Sequence, residues 1–312
     1  MRQVVDEESA GQRIDNYLMR LLKGVPKSHV YRILRSGEVR VNSGRIGPDY
    51  RLQSGDLLRL PPVRVARPET PRRPAATGFK PVVLFEDEVL LAIDKPAGLA
   101  VHGGSGVSFG VIEALRSEVS APKFLELVHR LDRETSGVLL LAKKRAALVE
   151  LHRQLQAGKT EKRYLTLARG RWTERKQIVD LALEKRVSGA GERKVSVKPG
   201  GDPALTIFRL ERHVGPYSLL DAELKTGRTH QIRVHLSHLG FPILGDDRYG
   251  DFALNKTLVR SGLKRMFLHA RKLAFRHPLS GEVVSVEAAL PAELQQFIER
   301  VKREGKAHVE AL

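Results

Sequence analysis

The segment HRLDRETSG, residues 129–137, runs directly into the apolar stretch Val138–Ala142. A short apolar run that follows a glycine and precedes basic residues is typical of a buried strand. A charged loop at the end of such a core element is a common place for chemistry. The neighbouring arginines favour an ionised Asp132, and an ionised aspartate acts as a nucleophile or a base. From these residues alone, a surface turn in which Asp132 pairs with Arg130 or Arg133 is an equally open interpretation.

The same nine residues resemble the HRLDxxTSG signature of the RNA pseudouridine synthases. Further segments resemble other motifs of that family and follow in the family's order: Asp94–His102, Lys162–Gly170, Gly227–Leu236, Gly245–Gly250 and Leu268–Ala270. The departures are small, because Asp94 replaces the usual Asn, and Thr166 and Ala168 replace Ala and Val. The resemblance extends over residues 82–290.

This resemblance implies roles for several side chains. Asp132 is the expected catalytic carboxylate, Arg233 is its partner, and Tyr164 stacks on the flipped uracil and serves proton transfer at C5. Without the family, Arg233 would be a solvated cation beside a helix and Tyr164 a half-buried strand aromatic. The residues expected to bind RNA or the base are Arg130 in the gap left by that base, Leu268 in the base pocket, His129, Lys95 and His102.

The reaction that the family implies breaks the N1–C1′ bond of uridine, turns the base and rejoins it through C5. Because this is an isomerisation, we expect no cofactor and no metal. A hydrolytic glycosidase normally uses two carboxyls, so the absence of a second one from the motif set disfavours a nucleoside hydrolase. A non-catalytic RNA-binding assembly factor is the other alternative, which the presence of both Asp132 and Tyr164 disfavours.

Two further features invite other interpretations. His230, His235 and His238 suggest a metal site, but helical spacing separates His230 from His235 by about 140°. No carboxylate lies at a matching turn, so no metal site is predicted. Gly103–Gly106 resembles a phosphate-binding loop but lacks the register of the known motifs, and we expect a flexible loop near the cleft.

The first 64 residues form a separate basic unit. Apolar residues at helical spacing predict two helices, the second with Ser28 as its N-cap and Gly37 as a left-handed residue after its end. The pattern resembles the S4 RNA-binding domain, which implies RNA docking by Arg32, Arg35 and Arg40. A small αβ domain with an ordinary solvated basic face is the alternative. The predicted strands and turns of this unit are Val39–Asn42, Ser43-Gly44, Gly55-Asp56 and Leu57–Leu60.

The fold class expected for the whole chain is α+β, with a mixed, largely antiparallel sheet in the catalytic domain and a small αβ domain before it. The expected divisions are an S4-like domain at 1–64, a Pro/Arg-rich linker at 65–81, a catalytic domain at 82–290, and a terminal helix with a polar tail at 291–312. In the catalytic domain the predicted strands are Val82–Phe85, Val89–Ile93, Val138–Leu141 and Tyr217–Leu224. The predicted helices are Phe109–Leu115, Ala146–Leu155 and Thr229–Leu239.

Composition limits the partners. The chain has 54 Lys and Arg against 36 Asp and Glu, a formal net charge of +18. This balance indicates a polyanionic partner, with nucleic acid favoured over an acidic membrane surface. The sequence has no run of about 18 apolar residues and begins with a polar segment, so neither a membrane span nor a signal peptide is predicted. It has no cysteine. We therefore expect a cytoplasmic protein and, by resemblance, a monomer that acts on large-subunit ribosomal RNA.

Overall fold

The computed structural model describes residues 2–22, 24–63, 80–103, 109–118, 122, 124–187 and 193–310. The chain divides into two units, Met1–Phe79 and Lys80–Leu312. The predicted linker at 65–81 coincides with this division and, apart from its last two residues, lies outside the described residues.

The N-terminal unit packs two helices on an antiparallel sheet with the strand order β1-β4-β2-β3. Val30, Ile33 and Leu34 of the second helix are buried against Leu18 of the first, as the helical spacing predicted. A 3-10 turn covers Glu7–Ser9. The remaining elements are β1 (Arg2–Val4), α1 (Ile14–Leu21), α2 (Lys27–Arg35), β2 (Arg40–Val41), β3 (Gly44–Arg45) and β4 (Leu57–Arg59).

The start of α2 differs from its prediction. The helix begins at Lys27, so Ser28 lies inside its first turn and Pro26 precedes the helix. The Pro26 ring holds φ at −57°, and its carbonyl accepts the first hydrogen bonds of the helix. A proline is well suited to a helix start because it has no N–H to satisfy. The prediction for Gly37 is confirmed, since its φ is +73°.

The turn between β2 and β3 is also shifted by one residue. Its central residues are Asn42 and Ser43, both with positive φ, whereas Gly44 pairs with Val41 in the sheet. Two consecutive residues with positive φ make the type of turn that matches the twist of a two-residue hairpin. Asparagine tolerates that conformation better than most residues, so the glycine is not needed at the turn itself.

The second unit is built on a ten-stranded sheet. Eight of its strands follow the order β10-β13-β14-β9-β15-β8-β6-β5, and the other two are β7, which pairs with β8, and β16, which pairs with β15. A separate hairpin pairs β11 with β12. The strands are β5 (Val82–Glu86), β6 (Leu90–Lys95), β7 (Glu126–Leu127), β8 (Ser136–Ala142), β9 (Glu161–Arg169), β10 (Lys176–Asp180), β11 (Leu183–Val187), β12 (Arg193–Val197), β13 (Leu205–Val214), β14 (Tyr217–Leu224), β15 (Leu268–Arg276) and β16 (Val283–Glu287). The helices are α3 (Val111–Arg116), α4 (Arg145–Gln156), α5 (Gln231–His238), α6 (Phe252–Arg260) and α7 (Ala292–Glu310).

The predicted α+β class with a mixed, largely antiparallel sheet is confirmed. Among the strand pairs of the described chain, β8 and β15 are parallel and the others are antiparallel. The parallel pair joins Gly137 to Ala270. A Cβ atom at Gly137, whose φ is +109°, would lie 2.2 Å from the Ala270 carbonyl oxygen, so only glycine fits at this approach.

The two faces of the central strand β9 have different surroundings. Leu165 and Leu167 belong to a core cluster with Phe297 and Ile298 of α7. Successive side chains of a strand point to opposite faces, so Tyr164 lies on the face turned away from α7. The terminal helix predicted after residue 290 therefore packs into the core of the second unit.

The predicted strands and helices of the second unit are all present, and their ends differ by at most two residues. The strand Tyr217–Leu224 has its predicted bounds, whereas the helix predicted from Thr229 begins two residues later, at Gln231. The long strands β9, β13 and β15 were not predicted as such. The middle of the glycine-rich loop, residues 104–106, lies outside the described residues. In the described part of the chain, no helix is long and apolar enough to cross a membrane.

Candidate active site

Asp132 lies in the loop that leads into β8, and its side chain is 28% exposed. The backbone around it is fixed on both sides. The Thr135 N–H donates to the Asp132 carbonyl over 3.1 Å, and the Gly98 N–H donates to the Arg133 carbonyl over 2.9 Å. The charged loop predicted at the end of a core strand is therefore confirmed, and its carboxylate is accessible from outside.

Lys95 supports this loop from behind. Its side chain is fully buried, and its Nζ donates to the carbonyls of Pro96, Leu99 and Arg133 over 2.7, 2.8 and 3.1 Å. Burial, with a smaller effect from the charge of Arg265, lowers the pKa of Lys95 to about 7. Because its three hydrogen bonds all go to backbone carbonyls, Lys95 is better suited to positioning the Asp132 loop than to the direct RNA contact expected from the sequence.

Arg233 connects Asp132 to a second, buried carboxylate. From the first turn of α5, its Nη1 donates to Asp132 Oδ2 over 3.2 Å. Its Nε and Nη2 donate to the two oxygens of Asp246 over 2.7 Å each, and Nη2 also reaches Asp247 at 3.2 Å. The pairing of Arg233 with Asp132 expected by resemblance is therefore present. The expectation that no second carboxyl would lie in the motif set was wrong, because two of them bind this arginine.

The charges of this cluster stabilise each other against burial. Burial acts to lower the pKa of Arg233, but the hydrogen bonds and charges of Asp246 and Asp132 outweigh it and raise that pKa. Burial acts to raise the pKa of Asp246, but Arg233 and two backbone N–H groups lower it on balance. Both groups therefore stay charged, as expected for a buried pair with its hydrogen bonds satisfied.

His230 has an unusual backbone conformation beside Asp132. Its φ and ψ are 55° and 21°, in the left-handed region that costs a non-glycine residue about 1–2 kcal/mol. This conformation is the reason that α5 begins only at Gln231. The His230 Nε2 lies 3.8 Å from Asp132 Oδ2, and its Nδ1 lies 2.9 Å from the Tyr249 hydroxyl. The Tyr249 ring also packs on Arg233, 5.1 Å from its guanidinium carbon.

Tyr164 and Leu268 lie on adjacent strands of the sheet, β9 and β15. Both are buried, and Leu268 pairs with Thr166, two residues from Tyr164 and on the same face. Burial, and then the negative charge of Asp132, raise the pKa of Tyr164. The Tyr164 hydroxyl therefore stays protonated at neutral pH.

The other predicted contacts lie in different environments. The side chain of Arg130 is exposed and makes no hydrogen bond or ion pair within the described residues. His129 accepts the Leu140 N–H over 3.2 Å, and burial, with the charge of Lys162, lowers its pKa to about 4. Its ring is therefore neutral and directed toward β8. His102 is exposed at the edge of the glycine-rich loop, with Nδ1 2.8 Å from the Gly103 carbonyl.

The three arginines predicted to dock RNA are on the N-terminal unit. Arg32 and Arg35 are exposed on α2, and Arg40 on β2 donates to the Ser43 carbonyl over 3.1 Å. The two helix residues share one face through their i,i+3 spacing. Among the described residues of this unit, the one ion pair joins Arg13 to Asp15. Neither Arg32 nor Arg35 is therefore paired with an acidic side chain there.

His230, Asp246 and Tyr249 were not predicted as site residues. His230 was considered only as a metal ligand, together with His235 and His238. In the structure His235 is fully buried, and its ring nitrogens contact the Thr206 hydroxyl and the Leu181 carbonyl. The signal for the others was Gly245–Gly250, a motif of two carboxylates and a tyrosine that was noted without being assigned a role.

The second unit thus presents one accessible carboxylate, Asp132, that a buried arginine orients. A model of the RNA pseudouridylate synthase family matches residues 89–238, and a model of the S4 domain matches residues 12–58. The ribosomal large subunit pseudouridine synthase C of Pasteurella multocida is 51% identical over 300 residues, 94% of this chain and 91% of that protein. The protein of the same name from Escherichia coli strain K12 is 49% identical over 304 residues, 96% and 95% of the two chains.

Solved structures agree with these matches. Human RNA pseudouridylate synthase domain containing 1 superposes with a TM-score of 0.57 and 26% identity, over 68% of this chain and 84% of that one. Human RNA pseudouridylate synthase domain containing 4 gives 0.58 and 25%, over 71% and 93%. The chain belongs to the RNA pseudouridine synthase family, and it carries an S4 RNA-binding domain. Its partner is therefore RNA, and its reaction is an isomerisation.

Proposed function

We propose that this enzyme converts specific uridines of 23S large-subunit ribosomal RNA to pseudouridine, with Asp132 as its catalytic carboxylate. The observation that carries the proposal is the contact of 3.2 Å between Arg233 Nη1 and Asp132 Oδ2, on a carboxylate that is still 28% exposed. The group is thus oriented and at the same time accessible to a ribose. The relatives that are about half identical over nearly the whole chain support the choice of RNA.

Two routes are consistent with a single carboxylate. In the first, Asp132 attacks C1′ as the N1–C1′ bond breaks, the detached uracil turns, and its C5 then displaces the carboxylate. In the second, Asp132 removes the 2′ proton as the base leaves, giving a glycal, and returns it when C5 bonds to C1′. In both routes C5 loses one proton and N1 gains one, so atoms and charge balance without an added reactant.

Tyr164 and Leu268 would hold the detached base in these routes. Their position on one face of the sheet suits stacking of a flat uracil against the Tyr164 ring. Since the Tyr164 hydroxyl stays protonated, we assign it to donating a hydrogen bond to the base and not to removing the C5 proton as a phenolate. Arg130, exposed beside the catalytic loop, would fill the gap that the extruded base leaves in the RNA.

Docking of the RNA is assigned to the S4 domain at 1–64 and to its Arg32, Arg35 and Arg40. His102 and His129 are assigned to RNA or base binding near Asp132, and Lys95 to support of the Asp132 loop. We further propose a monomer that works in the cytoplasm without a metal or cofactor. A D-type large-subunit synthase, with other target uridines, is the alternative within the family, and an RNA-binding assembly factor is the alternative outside it.

Nucleotide-resolution mapping of pseudouridine tests the proposal. Unmodified large-subunit RNA is treated with the wild-type protein or with Asp132→Asn, and binding of both is measured in parallel over a range of salt concentrations. We expect discrete new pseudouridines with the wild type only, and their positions decide between the C-type and D-type assignments. The logarithm of RNA affinity should fall with the logarithm of salt by about 0.7–0.9 per phosphate contact for both proteins. Activity of Asp132→Asn would refute the role of Asp132.

A further inference from the structure

The two oxygens of Asp132 have different surroundings. Oδ2 is contacted by Arg233 Nη1 at 3.2 Å and faces His230 Nε2 at 3.8 Å. Oδ1 has no hydrogen bond or ion pair within the described part of the chain. A carboxylate held through one oxygen presents the other to a substrate in a fixed direction, which is the kind of pre-organisation that lowers a reaction barrier.

The tautomer of His230 follows from its other neighbour. The Tyr249 hydroxyl oxygen accepts the Val195 N–H over 3.2 Å, and it lies 2.9 Å from His230 Nδ1. The Tyr249 O–H and the ring N–H of His230 can both be directed at an acceptor only if the Tyr249 O–H donates to His230 Nδ1. The ring proton of a neutral imidazole is then on Nε2, directed at Asp132 Oδ2. A chain of donors thus runs from the Val195 backbone through Tyr249 to His230, whose Nε2 faces the carboxylate at 3.8 Å.

The backbone of His230 supports a role for its imidazole. The side chain is 13% exposed, and the residue occupies a left-handed conformation that glycine or asparagine would adopt more easily. Strained positions of this kind are typical of functional sites, where the surrounding structure holds them in place. The two ring nitrogens of His230 face Tyr249 and Asp132, and its ring meets the Tyr249 ring at a steep angle, with the centroids 5.5 Å apart.

We propose that His230 is a positioning residue of this active site: as the Nε2–H tautomer set by Tyr249, it binds Asp132 Oδ2 together with Arg233 and leaves Oδ1 as the reacting oxygen. The distance of 3.8 Å is too long for a hydrogen bond in the free enzyme. It shortens when the uridine occupies the site, as catalytic contacts commonly do on substrate binding. This inference rests on the catalytic role proposed for Asp132.

Steady-state turnover of large-subunit RNA tests the inference with three variants. His230→Asn keeps a residue that tolerates the backbone conformation but removes the imidazole. Tyr249→Phe keeps the ring on Arg233 but removes the hydroxyl that sets the tautomer. His238→Asn is the matched control, since this histidine is exposed at the end of the same helix. Asp132→Asn is measured beside them, so that a failure of the proposed function is recognised separately.

We expect His230→Asn to lower kcat about tenfold, which corresponds to about 1.4 kcal/mol of barrier, with KM for RNA unchanged. Tyr249→Phe should lower kcat by a smaller factor, and the double variant should be no slower than His230→Asn, because Tyr249 acts through His230. His238→Asn should match the wild type. In ¹⁵N spectra of histidine-labelled protein, His230 should carry its proton on Nε2.

Three results would overturn the inference. The first is a His230→Asn variant whose kcat equals that of the wild type while Asp132→Asn is inactive. This result would leave the proposed function intact. The second is a full additional loss from Tyr249→Phe in the His230→Asn background, since the two residues would then act independently. The third is a proton on Nδ1 of His230, which remains measurable in the wild type even if a variant fails to fold. Activity of Asp132→Asn would instead refute the proposed function, and the inference with it.

Discussion

The buried pair of Arg233 and Asp246 allows a prediction with a definite magnitude. Asp246 is fully buried, Arg233 is 4% exposed, and two hydrogen bonds of 2.7 Å join them. Asp246→Asn keeps the size of the side chain but removes its charge, which leaves a buried guanidinium with too little compensation. Removing one partner of such a pair costs about 3–5 kcal/mol of folding free energy. Asparagine keeps one acceptor oxygen, so we expect the lower end, about 3 kcal/mol.

Asp247→Asn is the matched control. Asp247 contacts the same arginine at 3.2 Å, but its side chain is 71% exposed, and an exposed ion pair contributes about 0–1 kcal/mol. Urea unfolding followed by fluorescence measures both variants, because the one tryptophan of the chain, Trp172, is buried in the same unit. Asp246→Asn should also reduce kcat, since Arg233 loses its anchor. Equal losses of stability in the two variants, or a loss below 1 kcal/mol for Asp246→Asn, would refute the reasoning.

Further predictions concern other parts of the chain. Burial lowers the pKa of His269 to about 4, below the unfolded value of about 6.5. Its contribution to stability is therefore present above pH 6.5 and is lost as the pH falls to 4. Between pH 7 and 4.5 the wild type should lose about 2 kcal/mol more than His269→Asn in urea unfolding. Gly137→Ala should lower the unfolding midpoint far more than Gly240→Ala, whose added Cβ meets no atom within 4 Å. Replacing Arg32 and Arg35 by Ala should reduce the salt slope of RNA binding by about 0.7–0.9 per lost phosphate contact and leave turnover at saturating RNA unchanged.

Local patterns predicted the local structure well. Tyr217–Leu224 forms the predicted strand, and seven of its eight residues are buried because the strand lies inside the sheet, between β13 and β9. Val30, Ile33 and Leu34 follow helical spacing and form one buried stripe. Such features depend on neighbours within a few residues, so the sequence contains what is needed to predict them.

Contacts between distant parts of the chain could not be predicted in this way. Asp132 and Arg233 are 101 residues apart and meet only through the sheet. Resemblance to a family suggested this pair, whereas spacing alone favoured a solvated arginine. The left-handed conformation of His230 was not predicted either, because the helical pattern continues through it. Its place outside the helix follows from contacts with Tyr249 and Asp132, which no local pattern contains.

The unequal distances around Arg233 explain how one arginine can orient a carboxylate without inactivating it. A guanidinium that gave its best hydrogen bonds to Asp132 would stabilise the free carboxylate most, and this stabilisation is lost when the group reacts. In this site the two contacts of 2.7 Å go to Asp246, and Asp132 receives a single one of 3.2 Å. Asp246 thus fixes the arginine, and the arginine directs Asp132 with a weaker bond. Under the catalytic role proposed for Asp132, the buried carboxylate holds the arginine and leaves the exposed carboxylate available to the substrate.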